Sequence, residues 1–264
     1  MKNAIIQFYH PFNGVGKDIL KKHYPDEIPE WVEVSVNSVA EYAQHHGNID
    51  SYCYTNKFVQ SSSNFFDKLR VYLDPSLDQY DQVLYLDCDV LVKDIRQNIF
   101  DKLTRDNYFD VAGVAEFPHH EYSVPVNWNV SKPLEDRFSH FGSKMVKATS
   151  NNGPYRMINS GVLLWSKEAR LKARKQFLSH EAWFNYNNAL LDSSLKNVGH
   201  SSHCLDQPFL NAMFNRFNFN VMELKTEWNR FPTKDEDVYC VFAHYVQDHR
   251  FRMPEIWEKL KLKD

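Results

Sequence analysis

The chain has 264 residues, with 31 Lys and Arg against 34 Asp and Glu, which gives a formal net charge of −3. Hydrophobic residues make up 43% of it and aromatic residues 15%, enough to build a core and to exclude a wholly disordered chain. The lack of a basic excess argues against a dedicated nucleic-acid-binding protein, and no apolar run reaches the roughly 18 residues of a membrane-spanning helix.

The first half of the chain alternates between strand-like and helix-like segments. Apolar residues at helical spacing predict one helix over 35–46, ended by Gly47, and a second, amphipathic helix over 64–73. Apolar, β-rich runs predict strands over 4–9, 49–55, 82–87 and 111–116. Because these strands are apolar on both faces and alternate with helices, we expect a mostly parallel sheet covered on both sides. Ligands bind at the carboxyl ends of the strands in such sheets.

The second half opens with a different kind of segment, over 117–156, which holds four prolines and several His and Asn residues. We expect a long ordered excursion over one face, because loops of this length inside a domain are usually functional. Beyond it, the pattern predicts strands over 157–165, 220–224 and 237–244, and helices over 167–177, 206–214 and 254–263.

The four cysteines lie far apart and form no Cys-x-x-Cys pair; they are Cys53, Cys88, Cys204 and Cys240. This spacing argues against a structural zinc site and against a secreted disulfide framework. It predicts reduced, mostly buried thiols in a cytoplasmic protein.

The most informative motif is a pair of carboxylates directly after a buried strand. The apolar run Val83-Leu84-Tyr85-Leu86 leads into Asp87 and Asp89, whose i, i+2 spacing points both side chains to the same side of an extended chain. Two like charges held this close are costly unless a cation compensates them. Mg²⁺ or Mn²⁺, shared with the phosphates of a substrate, is the economical partner.

Two families place Asp-x-Asp after an apolar strand. In haloacid-dehalogenase-type phosphatases the pair usually lies near the N-terminus and is followed by a Thr or Val where this chain has Leu91.

The other family is the GT-A class of nucleotide-sugar-dependent glycosyltransferases. From residue 4 to about residue 250, the chain resembles family 8 of that class. The segments that carry the resemblance, in chain order, are 38–47, 65–70, 80–89, 158–164, 205–211 and Trp228-Asn229.

The resemblance implies an α/β architecture, the GT-A (Rossmann-like) fold, with a central, mostly parallel mixed sheet flanked by helices. It implies one domain over 1–264, with a nucleotide-binding half (1–116), a variable excursion (117–156) and a half that binds donor and acceptor (157–264). Asp87, Asp89 and His244 would be the metal ligands, since the family's third ligand is a His at the end of the last strand.

The same resemblance assigns further residues to the donor. Asp206, Gln207 and Asn159 are the expected catalytic residues, with the amides on sugar hydroxyls. The expected contacts with the nucleotide-sugar come from Phe8, Tyr9, Lys68, Asp87, Gly161 and Arg250. Arg250 is included because the chain departs from the family after His244: where the family carries Gly and then Lys-Pro-Trp, this chain has Tyr245 and the run up to Arg252. A guanidinium suits phosphate oxygens.

The expected function is therefore metal-dependent transfer of a sugar, with Mn²⁺ or Mg²⁺, from a nucleotide-sugar (a UDP-sugar) to a hydroxyl on a glycan, a lipid-linked glycan or another glycoconjugate. Family 8 members retain the anomeric configuration; for an inverting route, Glu116 and Glu121 stay open as bases. Two alternatives also stay open: a non-catalytic nucleotide- or sugar-binding module, and a transferase acting on modified DNA bases. We expect no transmembrane segment, although the tail over 259–263, which carries three lysines, suits contact with an anionic membrane.

Overall fold

The computed structural model describes residues 1–11, 25–61, 64–103, 107–115, 158–183, 206–232 and 238–261. The predicted excursion over 117–156, Glu116, Glu121 and Cys204 lie outside the described residues. The strands are β1 (Asn3–Phe8), β2 (Ile49–Tyr54), β3 (Gln82–Leu86), β4 (Val90–Val92), β5 (Val111–Ala115), β6 (Ile158–Ser166), β7 (Val221–Leu224) and β8 (Phe242–His244). The α-helices are α1 (Glu30–His46), α2 (Arg70–Leu73), α3 (Lys167–Gln176), α4 (Asp206–Arg216) and α5 (Met253–Lys261).

Six of these strands form one mixed sheet in the order β2-β1-β3-β6-β5-β7. β1 pairs in parallel with β2 and β3, and β5 pairs in parallel with β7. β6 runs antiparallel to both of its neighbours, β3 and β5. Because of this reversal, the first residues of β6 lie beside the carboxyl end of β3, where Asp87 N–H donates to the Gly161 carbonyl at 2.8 Å. The sheet therefore brings 159–161 to the edge at which ligands bind.

A second, two-stranded sheet completes that edge. β4 and β8 pair antiparallel over three residues, with Val90 opposite His244. The short ladder fixes the end of β8 against the turn that carries Asp87 and Asp89. β4 is not predicted from the sequence, because three residues are too few to show a strand pattern. The strand is defined by its pairing with β8.

The central strands β3 and β6 are buried along their whole length. Alternate residues of β3 belong to cores on opposite faces of the sheet: Val83 and Tyr85 pack with residues of α3 and α4, and Leu84 and Leu86 pack with α1. Burying a side chain of this size contributes about 1.5–3 kcal/mol. This two-faced burial explains the continuous apolar run in the sequence.

Three predicted elements need correction. α1 begins at Glu30 rather than at residue 35, behind the extended Pro29, and two acidic residues in its first turn favour that start. The predicted helix over 64–73 is a 3₁₀-helix (Asn64–Leu69) followed by the single turn of α2. The predicted strand over 237–244 is, within the described residues, limited to β8.

α1 ends as predicted at Gly47, whose φ of 61° lies in the left-handed region and whose N–H donates to two carbonyls of the last turn. None of the helices in the described part of the chain combines the length and the hydropathy needed to cross a bilayer.

Candidate metal centre and active site

Asp87, Asp89 and His244 converge at the carboxyl end of β3. Each offers one ligand atom, and these atoms all lie within 4.8 Å of one another. The His244 Nε2 atom lies 3.1 Å from Asp89 Oδ1 and 3.7 Å from Asp87 Oδ2. The side chains of Asp89 and His244 are each 5% exposed, whereas that of Asp87 is 26% exposed. The cluster is therefore open to solvent on the side of Asp87.

Asp89 is held from two sides. Arg250 Nε donates to its Oδ2 at 2.7 Å, and His244 lies against its Oδ1. Burial raises the pKa of Asp89, but the positive charges of Arg250 and His244 outweigh burial and bring this pKa well below its ordinary value. For His244, burial lowers the pKa, and the carboxylates of Asp89 and Asp87 outweigh it and raise the pKa overall.

The burial of Asp89 supports the view that these three side chains suit a divalent cation. Asp89 Oδ1 is buried, and no donor among the described residues is aligned to hydrogen-bond it. A buried carboxylate oxygen that lacks a donor is costly. Two carboxylates and one imidazole are a suitable set for Mn²⁺.

Lys68 links the metal cluster to the start of α4. Its Nζ lies 2.7 Å from Asp206 Oδ2, 2.9 Å from Ser160 Oγ and 3.4 Å from Asp87 Oδ1. Burial lowers the pKa of Lys68, but Asp206 and Asp87 outweigh it and raise the pKa overall; burial raises the pKa of Asp206, which Lys68 partly offsets. Among the described residues of the site, Lys68 and Arg250 face the carboxylates of Asp87, Asp89 and Asp206, so with a neutral His244 the net charge is negative and a cation can neutralise it.

Tyr85 supports the exposed ligand. It lies two residues before Asp87 on the same face of the strand, and its hydroxyl donates to Asp87 Oδ1 at 2.5 Å. Burial raises the pKa of Tyr85 well above its ordinary value, with the Asp87 charge adding to the effect, so the hydroxyl stays protonated as a donor. We did not predict this residue, although its i, i+2 spacing from Asp87 is visible in the sequence.

Gly161 lies directly against two of the candidate ligands. A Cβ at this position would overlap His244 Cε1 and would lie 2.8 Å from His244 Nδ1 and 2.9 Å from Asp87 Oδ2. Real Cβ atoms do not approach other atoms this closely. The absence of a side chain at Gly161 therefore makes room for the cluster.

The first residues of α4 are bound to β6 through Ser160. Its Oγ donates to Asp206 Oδ2 at 2.9 Å, and its N–H donates to Gln207 Oε1 at 2.9 Å. One turn later, Asn211 bonds both the N–H and the carbonyl of Ile158, each at 2.8 Å. This ladder fixes Asp206 and Gln207 beside the metal cluster.

The remaining predicted residues lie at different distances from the cluster. Asn159 is part of the cluster's surroundings: its Oδ1 accepts from the Gly161 N–H at 2.9 Å. Phe8 stacks on His10 and lies 5.9 Å, ring to ring, from Tyr85. Tyr9 is buried in the same core cluster as Cys88 and Tyr245, with its hydroxyl donating to the Pro25 carbonyl at 2.7 Å.

Comparison with known families and structures gives this arrangement its context. The sequence signature of glycosyl transferase family 8 matches residues 14–250, most of the chain. The chain belongs to glycosyl transferase family 8. No curated protein sequence matches it.

Solved structures similar to this family 8 protein are also glycosyltransferases. One is a glycosyltransferase involved in the glycosylation of the major capsid of PBCV-1, with 14% identity over 98% of this chain and 100% of that chain, and a TM-score of 0.52. Another is an active-site mutant of LgtC, with 16% identity over 98% of this chain and 95% of that chain, and a TM-score of 0.49. The predicted family, the GT-A fold and the enzyme class are confirmed.

The structure of this family 8 glycosyltransferase brings together most of the residues predicted for the site. They are Lys68, Asp87, Asp89, Asn159, Gly161, Asp206, Gln207, His244 and Arg250. The roles assigned to all of these residues stay predictions. Arg250 contacts Asp89 in this structure, and Lys68 contacts Asp206.

Proposed function

We propose that this glycosyltransferase transfers a sugar from a UDP-sugar to a hydroxyl of a glycan or glycoconjugate, with retention of anomeric configuration and with Mn²⁺ or Mg²⁺ as cofactor. The observation that carries the proposal is the convergence of Asp87, Asp89 and His244 at the carboxyl edge of a family 8 fold. The choice of UDP, the retaining outcome and the acceptor class rest on the family resemblance.

The three candidate ligands differ in their burial and in how firmly their neighbours hold them. Asp89 and His244 are buried and fixed by neighbours, whereas Asp87 is partly exposed and faces the side from which a donor enters. When bound, the divalent ion neutralises charge on the diphosphate leaving group. The side chains themselves supply a fixed, preorganised set of charges, which need no reorganisation during the reaction.

Around the ion, the residues bound to Ser160 suit the donor sugar. Gln207 has its Oε1 held by a backbone N–H, which directs its Nε2 donor elsewhere, and we assign that donor to a sugar hydroxyl. Asp206 is kept in place by Lys68 and Ser160 and orients the same sugar. In the retaining route, the departing diphosphate oxygen accepts the proton of the acceptor hydroxyl. The protein then contributes orientation and hydrogen bonds to an oxocarbenium-like state.

We further propose a cytoplasmic location, supported by the chain's cysteines. In the described residues, Cys53, Cys88 and Cys240 are free thiols. Burial raises the pKa of the Cys53 thiol to about 11, and burial likewise raises the pKa of Cys88 well above its ordinary value. Such thiols are unreactive and suit a reducing compartment.

The test is thermal unfolding of the protein with UDP, GDP, CDP or dTDP, each with and without Mn²⁺. A ligand at about 100 times its dissociation constant adds about 2.7 kcal/mol of stability, so we expect a clear shift with UDP that requires Mn²⁺. Hydrolysis of the UDP-sugar without acceptor then distinguishes an enzyme from a binding module.

The variant that tests the metal site is Asp89→Ala. Its control is Asp101→Ala, which removes an exposed carboxylate. Asp89→Ala abolishes Mn²⁺-dependent turnover, and Asp101→Ala keeps it. Wild-type turnover by Asp89→Ala in excess Mn²⁺ would refute the metal site. A UDP-dependent shift without donor hydrolysis would identify a binding module instead.

A further inference from the structure

Asn229 connects the candidate metal ligand His244 to the main sheet. It is fully buried, at the end of the short 3₁₀-helix Thr226–Trp228, and its Oδ1 lies 3.0 Å from His244 Nδ1. On its other side, Asn229 Nδ2 lies 2.8 Å from Asn159 Oδ1. The same Asn159 oxygen accepts the backbone N–H of Gly161 at 2.9 Å.

The direction of this chain of hydrogen bonds is fixed at its first link. A backbone N–H can only donate, so the atom of Asn159 that receives the Gly161 N–H must be the amide oxygen. An oxygen facing Asn229 requires a donor there, which places the Asn229 amide nitrogen toward Asn159. The Asn229 oxygen consequently faces His244, and it can only accept.

The last link therefore determines where the neutral imidazole of His244 carries its proton. An acceptor on the Nδ1 side requires Nδ1–H, which leaves the lone pair on Nε2. Nε2 is the atom that faces Asp89 Oδ1 and Asp87 Oδ2.

We infer that Asn229 is a positioning residue that selects the His244 tautomer able to bind the metal ion, with Asn159 setting the direction of the Asn229 amide. The inference rests on the metal site proposed above. A metal-bound histidine is held by a hydrogen bond to its other ring nitrogen, and loss of such a partner typically costs 10–100-fold in metal affinity. Without the Asn229 oxygen, the imidazole is free to carry its proton on Nε2, which removes the lone pair that would bind the metal ion.

Mn²⁺ itself is the probe, with the free ion measured by electron paramagnetic resonance during titration of the full-length protein. Asn229→Leu removes the acceptor at nearly constant volume, and we expect a 10–100-fold loss of Mn²⁺ affinity. Asn229→Asp keeps an oxygen against His244 Nδ1, and we expect affinity within a few-fold of wild type. Gln82→Leu is the control, because it removes another buried amide, which bonds the Phe100 carbonyl at the opposite end of β3; it should leave Mn²⁺ affinity unchanged.

A double-variant comparison separates tautomer selection from loss of packing. In a His244→Ala background, Asn229→Leu should cost no further Mn²⁺ affinity, because the residue acts through His244. In the metal-free protein, at a pH high enough for His244 to be neutral, ¹⁵N–¹H spectra of labelled histidine should show the His244 proton on Nδ1 in wild type and on Nε2 in Asn229→Leu. The His244→Ala variant identifies the resonance among the 12 histidines.

The outcomes distinguish the two proposals. Absence of Mn²⁺ binding by wild type, or binding unaffected by His244→Ala, would overturn the metal site. A metal site that depends on His244 but survives Asn229→Leu would overturn only the role of Asn229. Equal losses in Asn229→Leu and Asn229→Asp, or a loss that persists in the His244→Ala background, would also overturn it, because they would show a packing role.

Discussion

Replacing Gly161 by Ala tests whether the close packing of the candidate ligands is required for metal binding. The new Cβ would lie 2.9 Å from Asp87 Oδ2 and 2.8 Å from His244 Nδ1, whereas ordinary contact begins at 3.4 Å. Asp87 Oδ2 must therefore retreat by about 0.5 Å, and the His244 ring, whose Cε1 atom the new Cβ would overlap, by about twice as much. Metal–ligand distances tolerate only about 0.2 Å. Because both ligands are displaced beyond that limit, we expect at least a tenfold loss of Mn²⁺ affinity and of transfer rate.

The control for this prediction is Gly113→Ala, on the neighbouring strand β5. Its Cβ would overlap the Ile158 Cγ2 methyl group and lie 3.0 Å from Leu163 Cδ2 and 3.3 Å from the Val162 carbonyl oxygen, so it introduces comparable overpacking without touching a candidate ligand. Each variant should lose about 1–3 kcal/mol in urea unfolding. Isothermal titration with Mn²⁺ then separates them. Equal Mn²⁺ binding by the two variants would show that the candidate ligands do not need a glycine at position 161.

Two further predictions concern the carboxylates. Tyr85→Phe removes the hydroxyl that donates to Asp87 Oδ1, so we expect about a tenfold loss of Mn²⁺ affinity by titration calorimetry, with little change in stability; unchanged affinity would contradict a supporting role. Asp67 is buried, which raises its pKa, but His10 at 3.0 Å and two backbone N–H groups outweigh burial and lower the pKa overall. Its charge therefore stabilises the fold above the unfolded pKa of about 3.9 and loses this effect as the pH falls through the lowered value. Asp67→Asn should accordingly unfold more easily in urea at neutral pH, with the difference from wild type shrinking in acid; a difference independent of pH would refute this.

The sequence predicts the candidate metal ligands better than it predicts the residues that hold those ligands in place. Asp87 and Asp89 follow a continuous apolar run, and the carboxyl-edge rule places them where ligands bind. His244 is predicted only through the family resemblance, because nothing in its local sequence distinguishes a ligand from a core histidine. In the structure, the three side chains lie together, and their role as metal ligands stays a prediction.

The supporting residues depend on pairings that the local pattern does not contain. The contact of Asn229 with His244 requires β8 to return beside the 3₁₀-helix at Thr226–Trp228, and that of Lys68 with Asp206 requires α4 to dock on β6. The helix predicted over 64–73 is wrong in type for a related reason, namely that a local pattern is not decisive. Over a window as short as 64–73, apolar spacing fits a 3₁₀-helix and an α-helix alike.

The three-residue ladder between β4 and β8 has a consequence for the biosynthesis of this enzyme. During translation, Asp87 and Asp89 leave the ribosome long before His244, so a nascent chain holds two acidic side chains without their third partner. Only the last strand of the sheet system, when it pairs Val90 with His244, completes the ligand set. Stabilisation by an ion at the proposed site therefore begins only after β8 has paired with β4.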